Sequence, residues 1–498
     1  MRRTAVLLVA LAPIAVAGPT PAELEKALGA RDASRIERAL EELRGSLEPA
    51  HVKALLAGAG AVHTAGKMPL LVELLGTAHG PALLELVKGF DKARDPALRF
   101  LVLDALHRMQ DPVAEETMVR AATKDDDAGV AVHAVRCLGE RPRVQAIEAL
   151  LDVLEATERN RSRALLASEA RRALGGLLGQ EHGSAKEWRA AWEQVRQGWR
   201  PPKDGVAAVE SGTRTNVLER MKRRRPEDLR TIERLDKDSI VVVEGDYDQV
   251  QDVLAALKIP CEVIADTALD AYALDPVRQV LVLNCDGEPK SAAAVEKVRE
   301  FVARGGYLFS SDWELTNILI KSFPNLARSG GRRSAEHVVE IQPCGGSAAH
   351  PLLRDVLPLS PWERAGKRMT WKVDGASEFT QSHEAILVLV EAPELTPIYG
   401  TPAVAITFGL DAAGRPIGGT FVPPPPRPRT GDGGAGGTKA RKGGAERAVE
   451  RLPGRVLHVI SHFQHQADAS GDGFALQQLL LNFVLEKQAA RRAATRGD

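Results

Sequence analysis

The sequence of 498 residues has no excess charge of either sign, and it has few aromatic residues. Lysine and arginine together number 66, and aspartate and glutamate also number 66, so the formal net charge is zero. Electrostatics therefore gives no reason to expect nucleic acid or an anionic membrane surface as a partner. Aromatic residues make up only 4%, which argues against a large all-β architecture and favours helices packed through alanine and leucine.

Cysteine is scarce: the chain has four, and no two of them form a C-x-x-C motif. The absence of that spacing gives no support for a cysteine-rich structural zinc site or for the common redox motif. Cys137 lies on an apolar helical face and is predicted to be a core residue. A disulfide among Cys261, Cys285 and Cys344 stays open, because spacing alone does not fix a pairing.

Long apolar runs are also lacking, and the run nearest the N-terminus, residues 5–16, is shorter than the roughly 20 residues that a bilayer span needs. The run follows two arginines and precedes an Ala-x-Ala pattern that ends at Ala17. This order is typical of a secretory signal peptide, with an uncleaved anchor as the alternative. We expect residues 1–17 to be removed before Gly18, and the protein to be periplasmic or secreted without stable membrane insertion.

Residues 18–200 are predicted to form an all-α array of short helices. Apolar residues recur at helical spacing, and strand-like alternation is absent. Two segments repeat with an offset of 32 residues, the separation of Asp95 from Asp127. Each of these aspartates is suited to cap a helix, and each segment ends in a small residue followed by leucine. A third copy places its leucine at Leu174.

The repeated segments resemble HEAT repeats in their short form. Asp95, Arg99 and Leu106 fit the D-x-x-x-R-x-x-A-x-x-x-L character of that family, although Val102 replaces its alanine. The resemblance implies a solenoid in which each helix pair buries its apolar stripe against the next pair. It also implies a surface that binds a protein partner. A spacer, or a clamp onto the second half of the chain, is the alternative.

Two tryptophans near the end of the array, Trp188 and Trp192, share one helix face because they lie four residues apart. An exposed aromatic stripe could bind glycan. The end of a repeat array must however be sealed against water. We therefore expect these rings to cap the array.

Polar segments separate and interrupt the predicted domains. Residues 201–236 are interpreted as a linker or helical junction, in which nearby acids balance the basic run 222–225 and keep it solvated. This balance, together with export, argues against nucleic acid as its partner. Residues 422–447 are rich in proline and glycine and are expected to be disordered. The tail 489–498 is expected to be disordered as well.

The second half of the chain, residues 237–421 and 448–488, is predicted to be a doubly wound α/β domain, so that the chain is multidomain. Ile240–Val243 and Val280–Leu283 are continuous apolar runs, as expected for parallel strands buried on both faces. Helical segments alternate with the strands over short connections. Further strands predicted within residues 385–421 would extend or flank the sheet.

This half is similar to the class I glutamine amidotransferase-like fold, notably its ThuA-like relatives, in the segments VVVEGD, CEVIAD, QVLVLNCDGE and FVARGGYLFSSDW. The closing segment GRVLHVISHFQHQ is similar to that family's last strand and His loop. The resemblance implies a flavodoxin-like sheet with a site at the strand ends. The family's catalytic cysteine is missing from the turn at Ser311, and Gln464 stands where its glutamate is expected. Glutaminase activity is therefore not expected.

Polar residues follow the predicted strands, at the edge where open α/β sheets bind ligands. A pocket for a small molecule would use these residues: Glu244, Asp246, Asp286, Asp312 and His462. A hydrolase would pair Ser311 with His462 as its base, and a metal site would use His462, His465 and nearby acids. The alternative is that the aspartates cap helices and that His462 packs in a loop.

The sequence therefore predicts an exported, non-catalytic binding or scaffold protein, with a HEAT-like interaction surface and a degenerate amidotransferase-like domain. Its partners are expected to be proteins bound by the helical repeats, and a small molecule could also bind at the strand ends. No cofactor and no nucleic-acid partner are predicted. The alternative is a hydrolase that acts through the pocket around Ser311 and His462.

Overall fold

The structure is a computed structural model, and it describes most of the chain after residue 17. The described ranges are 18–30, 32–158, 163–180, 182–200, 217–286, 290–324, 326–329, 337–359, 369–373, 380–381, 385–411, 413–417, 453–463 and 473–495. The predicted signal peptide 1–17 and the proline-rich and glycine-rich segment 422–447 lie outside these ranges. The chain divides into two compact units, Met1–Ala114 and Glu115–Asp498.

The first unit is helical over its described residues. Its helices are α1 (Pro21–Gly29), α2 (Ala33–Glu42), α3 (Pro49–Ala57), α4 (Ala59–Thr64), α5 (Met68–Leu75), α6 (Gly80–Lys92) and α7 (Pro96–His107), and α8 (Pro112–Lys124) begins at its end. A capping box formed by Thr20 and Glu23 starts α1. The Asp95 carboxylate starts α7 by accepting a hydrogen bond from the amide of Ala97 at 2.9 Å. The aspartate cap predicted for this repeat is present.

The second unit continues the helices before its sheet begins. It contains α9 (Ala128–Gly139), α10 (Val144–Thr157), α11 (Ala164–Leu178) and α12 (Ala185–Val195). Asp127 caps α9 by accepting a hydrogen bond from the amide of Val130 at 2.9 Å. Trp188 and Trp192 on α12 are buried, with 1% and 0% of their surface exposed. Buried rings are unavailable to a glycan, so their role is in packing.

Two short helices lead to the sheet, α13 (Val217–Arg224) and α14 (Pro226–Ile232). The solvated state predicted for the basic run 222–225 is wrong for Arg225, which is 1% exposed. Its guanidinium group donates to the Asp228 carboxylate at 2.6 Å and to the Asn482 side-chain oxygen at 2.9 Å. An opposite charge and a hydrogen bond compensate the burial of this cation.

The rest of the second unit is a mixed α/β structure. Its strands are β1 (Ile240–Val243), β2 (Glu262–Ile264), β3 (Val280–Leu283), β4 (Tyr307–Ser311), β5 (Ala327–Arg328), β6 (His337–Glu340), β7 (Gln342–Pro343), β8 (Thr370–Val373), β9 (Thr380–Gln381), β10 (Leu387–Glu391), β11 (Ala403–Leu410), β12 (Pro416–Ile417) and β13 (Gly454–Val459). Its helices are α15 (Val250–Ala256), α16 (Ala292–Ala303), α17 (Ile320–Ser322), α18 (Thr396–Tyr399) and α19 (Gly473–Thr495).

Nine of the described strands form one sheet, in the order β2-β1-β3-β4-β13-β11-β10-β7, with β12 paired to β11. The pairs from β2 to β13 are parallel, and those from β13 through β11 and β10 to β7 are antiparallel. Every residue of β1, β3 and β4 is buried, as predicted for strands covered on both faces. The strands predicted after residue 385 extend the sheet as β10, β11 and β12.

The C-terminal helix α19 reaches further than the sequence predicts. The tail expected to be disordered from residue 489 is helical as far as Thr495. Ala490 is fully buried, and the Arg492 guanidinium donates to the Thr231 hydroxyl at 2.6 Å. These contacts and a run of alanine and arginine, both strong helix formers, stabilise the last turns.

A buried ion network connects α11 with the chain around residue 354. The Glu169 carboxylate is surrounded by three guanidinium groups, those of Arg136 at 3.3 Å, Arg172 at 3.4 Å and Arg354 at 3.5 Å. Burial raises the pKa of Glu169, but the charges of Arg354, Arg136 and Arg172 outweigh that effect and hold this pKa well below its usual range.

This network lies within the second unit and joins helices α9 and α11 to residue 354. The predicted division, between an array ending at 200 and a sheet domain beginning at 237, does not coincide with the division at Ala114. Helices α9 to α12 share the second unit with the sheet. Residues 217–236, which are the described part of the predicted linker, contribute Arg225 and Asp228 to buried ion pairs.

Candidate functional site at the strand ends

Three side chains of different chemistry meet beyond the ends of β3, β4 and β13. These strands are parallel neighbours, so their carboxyl ends lie at one edge of the sheet. The Asp312 Oδ2 atom lies 3.6 Å from the Cys285 Sγ atom and 3.4 Å from the His462 Nε2 atom. One ligand atom from each residue lies within 4.8 Å of the other two. All three residues are buried, with at most 2% of their surface exposed.

The hydroxyl of Ser311 is directed to an aspartate instead of a histidine. Ser311 is fully buried. Its Oγ atom donates to Asp248 Oδ2 at 2.9 Å and accepts a hydrogen bond from the amide of Cys285 at 3.2 Å. A serine nucleophile needs a neighbouring base that can take its proton and then release it. The described geometry therefore does not support the Ser311–His462 pair as a catalytic dyad.

Asp248 connects the loops that carry this site. Its second oxygen, Oδ1, accepts hydrogen bonds from the amide of Phe463 at 3.0 Å and from the amide of Gln249 at 2.9 Å. Burial raises the pKa of Asp248, and the nearby imidazole of His462 and the hydrogen bond from Ser311 oppose that effect. Asp248 thus positions the residue that follows His462 and holds the Ser311 hydroxyl in place.

The thiol of Cys285 is also not activated as a nucleophile. Burial raises its pKa strongly, and the negative charge of Asp312 raises it further. A reactive cysteine requires the opposite effect, a lowered pKa that favours the thiolate. Neither Ser311 nor Cys285 is therefore prepared for covalent catalysis.

Asp312 has an unusual backbone conformation for an aspartate. Its φ angle is +42°, in the left-handed region. Its amide donates to the carbonyl of Val459 at 2.8 Å, which ties the end of β4 to the end of β13. The Oδ2 atom of Asp312 faces Cys285 and His462.

The other predicted ligand-binding residues do not join this cluster. Glu244 and Asp246 are exposed in the loop after β1. Helix α15 is not capped by Asp246: the Asn284 side-chain oxygen accepts the hydrogen bond from the amide of Val250 at 3.3 Å. His465 lies outside the described residues.

Asp286 belongs to a separate buried charge cluster. Its carboxylate lies 2.7 Å from the Lys290 ammonium, which also contacts Asp266 and lies 3.7 Å from Glu314. Burial raises the pKa of Glu314 to about 8. The positive charge of Lys290 lowers this pKa, and the negative charges of Asp286 and Asp266 raise it further. Three carboxyl groups share one ammonium group, so Asp286 is already engaged within the protein.

Sequence reasoning missed two residues of the site, Asp248 and Cys285. From the sequence Cys285 is a candidate only for a disulfide, yet none of the four cysteines forms one. Its position two residues after a buried strand was a usable signal, because that position lies at the ligand-binding edge of the sheet. Asp248 gave no such signal, since its burial depends on Ser311 and Phe463, which are distant in the sequence.

Replacing Ser311 by alanine tests the structural role of its hydroxyl. Without that hydroxyl, the buried Asp248 carboxylate loses one hydrogen bond, and we expect the free energy of unfolding to fall by about 1–3 kcal/mol. Ser322→Ala is the matched control, because the hydroxyl of that buried residue donates to a backbone carbonyl, that of Val295, instead of to a carboxylate. Urea denaturation that shows equal losses for both variants would contradict the prediction.

Part of the helical region is similar to a known protein family. Residues 83–170 match the family model of HEAT repeats, so the predicted resemblance to that family is confirmed for this range. None of the curated proteins matches the chain. Over the described residues, no helix combines the length and the apolar character needed to cross a membrane. The amidotransferase-like character of the second half stays a prediction.

Among solved structures, the chain matches the exo-beta-1,4-mannosidase Op5Man5 from Opitutaceae bacterium strain TAV5. The two are 8% identical, and the match covers 86% of this chain and 77% of the mannosidase chain, with a TM-score of 0.27. A likeness at this TM-score supports no conclusion about fold or activity.

Proposed function

We propose that this chain is an exported binding protein whose helical repeats hold a protein partner. The observation that carries the proposal is the HEAT-repeat match over residues 83–170, because repeats of this kind present extended binding surfaces. Export is supported by the order of charged, apolar and small residues in 1–17.

The α/β part is proposed to be a degenerate amidotransferase-like domain without hydrolytic activity. The parallel order β2-β1-β3-β4-β13 corresponds to the flavodoxin-like order 2-1-3-4-5, which supports a doubly wound sheet. The engagement of Ser311 with Asp248 favours binding over the hydrolase alternative. A small molecule that binds this domain would do so at the edge that carries Asp312 and His462.

A pair of matched substitutions tests the proposed interaction surface. Leu84 on α6 is 59% exposed, more than any other large apolar side chain among the described residues, and it lies within the HEAT-repeat match. Val338 on β6 is a comparable side chain outside the repeats, with 55% exposed. We expect Leu84→Glu to abolish cross-linking to the partner in the cell envelope, and Val338→Glu to preserve it.

The measurement is quantitative mass spectrometry of cross-linked material from cells that export each full-length variant. A partner retained by Leu84→Glu would contradict the assignment of the binding surface to the repeats. Partner loss in both variants would contradict it too, because the effect would then not be specific to that surface.

Purified protein should release no ammonia from glutamine, and release would overturn the degenerate-domain proposal.

The export proposal predicts a defined N-terminus. Protein recovered from outside the cytoplasm should begin at Gly18 or close to it, because cleavage follows the Ala-x-Ala pattern that ends at Ala17. N-terminal sequencing measures this directly. Retention of Met1 in the exported protein would contradict it.

A further inference from the structure

We propose that Cys285, Asp312 and His462 form a binding site for one zinc ion at the carboxyl edge of the sheet. Thiolate, carboxylate and imidazole are the three ligand types that zinc uses in proteins. The inference goes beyond the proposed function, since neither partner binding nor export requires a metal. Each ligand follows a different strand, so the site exists only when β3, β4 and β13 are assembled.

The spacing of the donor atoms agrees with tetrahedral coordination. With typical zinc–ligand bond lengths, a tetrahedral ion separates a thiolate sulfur from a carboxylate oxygen by about 3.6 Å, and an imidazole nitrogen from that oxygen by about 3.4 Å. The structure has 3.6 Å between Cys285 Sγ and Asp312 Oδ2, and 3.4 Å between His462 Nε2 and the same oxygen. Two of the three distances between ligand atoms thus match those around a tetrahedral ion, and the third, between the Cys285 sulfur and a His462 nitrogen, is at most 4.8 Å.

The charge and the softness of the ligands select the ion. The Cys285 thiol carries its proton in the metal-free protein, and a bound cation displaces that proton to solvent. The resulting thiolate and the Asp312 carboxylate together carry two negative charges, which balance a divalent cation in a site where the three residues are at most 2% exposed. Sulfur is a soft ligand, and magnesium and calcium prefer oxygen. The described residues supply three ligands, which leaves the fourth tetrahedral position for water or a further donor.

A second set of hydrogen bonds holds the ligands in place. Ser311 accepts a hydrogen bond from the amide of Cys285 and donates to Asp248, which in turn accepts from the amide of Phe463, next to His462. The backbones beside two of the three ligands are thus connected through one aspartate. Partners of this kind typically contribute 10–100-fold to metal affinity, so Asp248 is assigned as a positioning residue.

The test is a titration of the purified, chelator-treated full-length protein with Zn²⁺ in competition with a chromophoric chelator. We expect one ion per chain. Cys285→Ala, Asp312→Asn and His462→Gln should each weaken binding by more than about 100-fold, because each removes a direct ligand, and Asp248→Asn should weaken it by about 10–100-fold. Cys261→Ala, a cysteine away from the site, is the matched control and should bind as the unchanged protein does.

Cobalt provides a readout on the unchanged protein, so it does not depend on the folding of any variant. Co²⁺ bound by the unchanged protein should show the charge-transfer absorption of a thiolate–metal bond and the visible bands of a tetrahedral ion. Zn²⁺ should displace it and abolish both. Absence of stoichiometric binding, a cobalt spectrum without thiolate absorption, or equal zinc affinity in a folded Cys285→Ala variant would each overturn the proposal. These outcomes do not depend on the protein partner, so they are distinguishable from failure of the proposed function.

Discussion

Replacing Glu169 by glutamine is expected to lower the free energy of unfolding of the second unit by about 3–5 kcal/mol, the usual cost of breaking a buried ion pair from one side. Glutamine keeps the shape of the side chain but removes the charge at the centre of three guanidinium groups. The arginines would remain buried without sufficient negative charge. Urea denaturation followed by circular dichroism measures the loss.

Glu155→Gln is the matched control for this substitution. Glu155 also pairs with an arginine, Arg189, at 2.9 Å, but 48% of its side chain is exposed. An exposed pair contributes only about 0–1 kcal/mol, so this variant should unfold almost as the unchanged protein does. If Glu169→Gln and Glu155→Gln have similar effects, the buried network does not stabilise the second unit as argued.

The same carboxyl group predicts the sign of an acid effect. The pKa of Glu169 is held below its usual range in the folded protein, so the unfolded chain binds the proton more readily. The stabilisation from this group is therefore complete above the unfolded pKa of about 4.3 and is lost as the pH falls below that value. The Glu169→Gln variant should lose less of its stability than the unchanged protein over the same acid range.

Features set by neighbouring residues were predictable from the sequence, as the helical half shows. The caps at Asp95 and Asp127 depend on amides two or three residues away, and the repeat that places them was visible as a periodicity. The buried strands β1 and β3 were predictable for a similar reason, because a continuous apolar run is itself the signal of burial on both faces. The HEAT-repeat match covers the same helices.

Features that depend on distant partners were not predictable in the same way. Arg225 lies in a basic run that is typical of a solvated surface, and its burial becomes favourable only through Asp228 and Asn482. Likewise, both Asp246 and Asp248 follow β1, but only Asp248 meets Ser311 and the amide of Phe463. Composition and spacing do not distinguish the two aspartates, since the distinction arises from the packing of three separate loops.

A second large effect is expected from His458, a fully buried histidine on the central strand β13. Its Nδ1 atom lies 3.0 Å from the Ser310 hydroxyl on the neighbouring strand β4. Burial lowers the pKa of His458 to about 3, because the charged imidazole is excluded from water, and a hydrogen bond with the backbone of Ser310 opposes this only in part. The unfolded chain, with a histidine pKa of about 6.5, therefore binds a proton that the folded protein does not.

This difference gives a stability loss with a definite pH window. The contribution of His458 is complete above pH 6.5 and is lost as the pH falls from there towards 3, at about 1.4 kcal/mol for each pH unit. Between pH 6.5 and 5, a range in which most carboxylates stay ionised, the loss should be about 2 kcal/mol. Over the whole window it should be on the order of 4 to 5 kcal/mol.

His458→Asn tests this argument, because asparagine can keep a hydrogen bond with Ser310 but does not titrate. The variant should be less stable at pH 7, since the shorter side chain leaves a cavity, yet its stability should change little between pH 6.5 and 5. His79→Asn, at an exposed position, is the control for the loss of a histidine, and its pH dependence should match that of the unchanged protein. Urea denaturation at three pH values in this range measures the slopes. If the stability of His458→Asn falls with pH as steeply as that of the unchanged protein, another group causes the acid sensitivity. The pKa of His458 would then not be lowered by burial as argued.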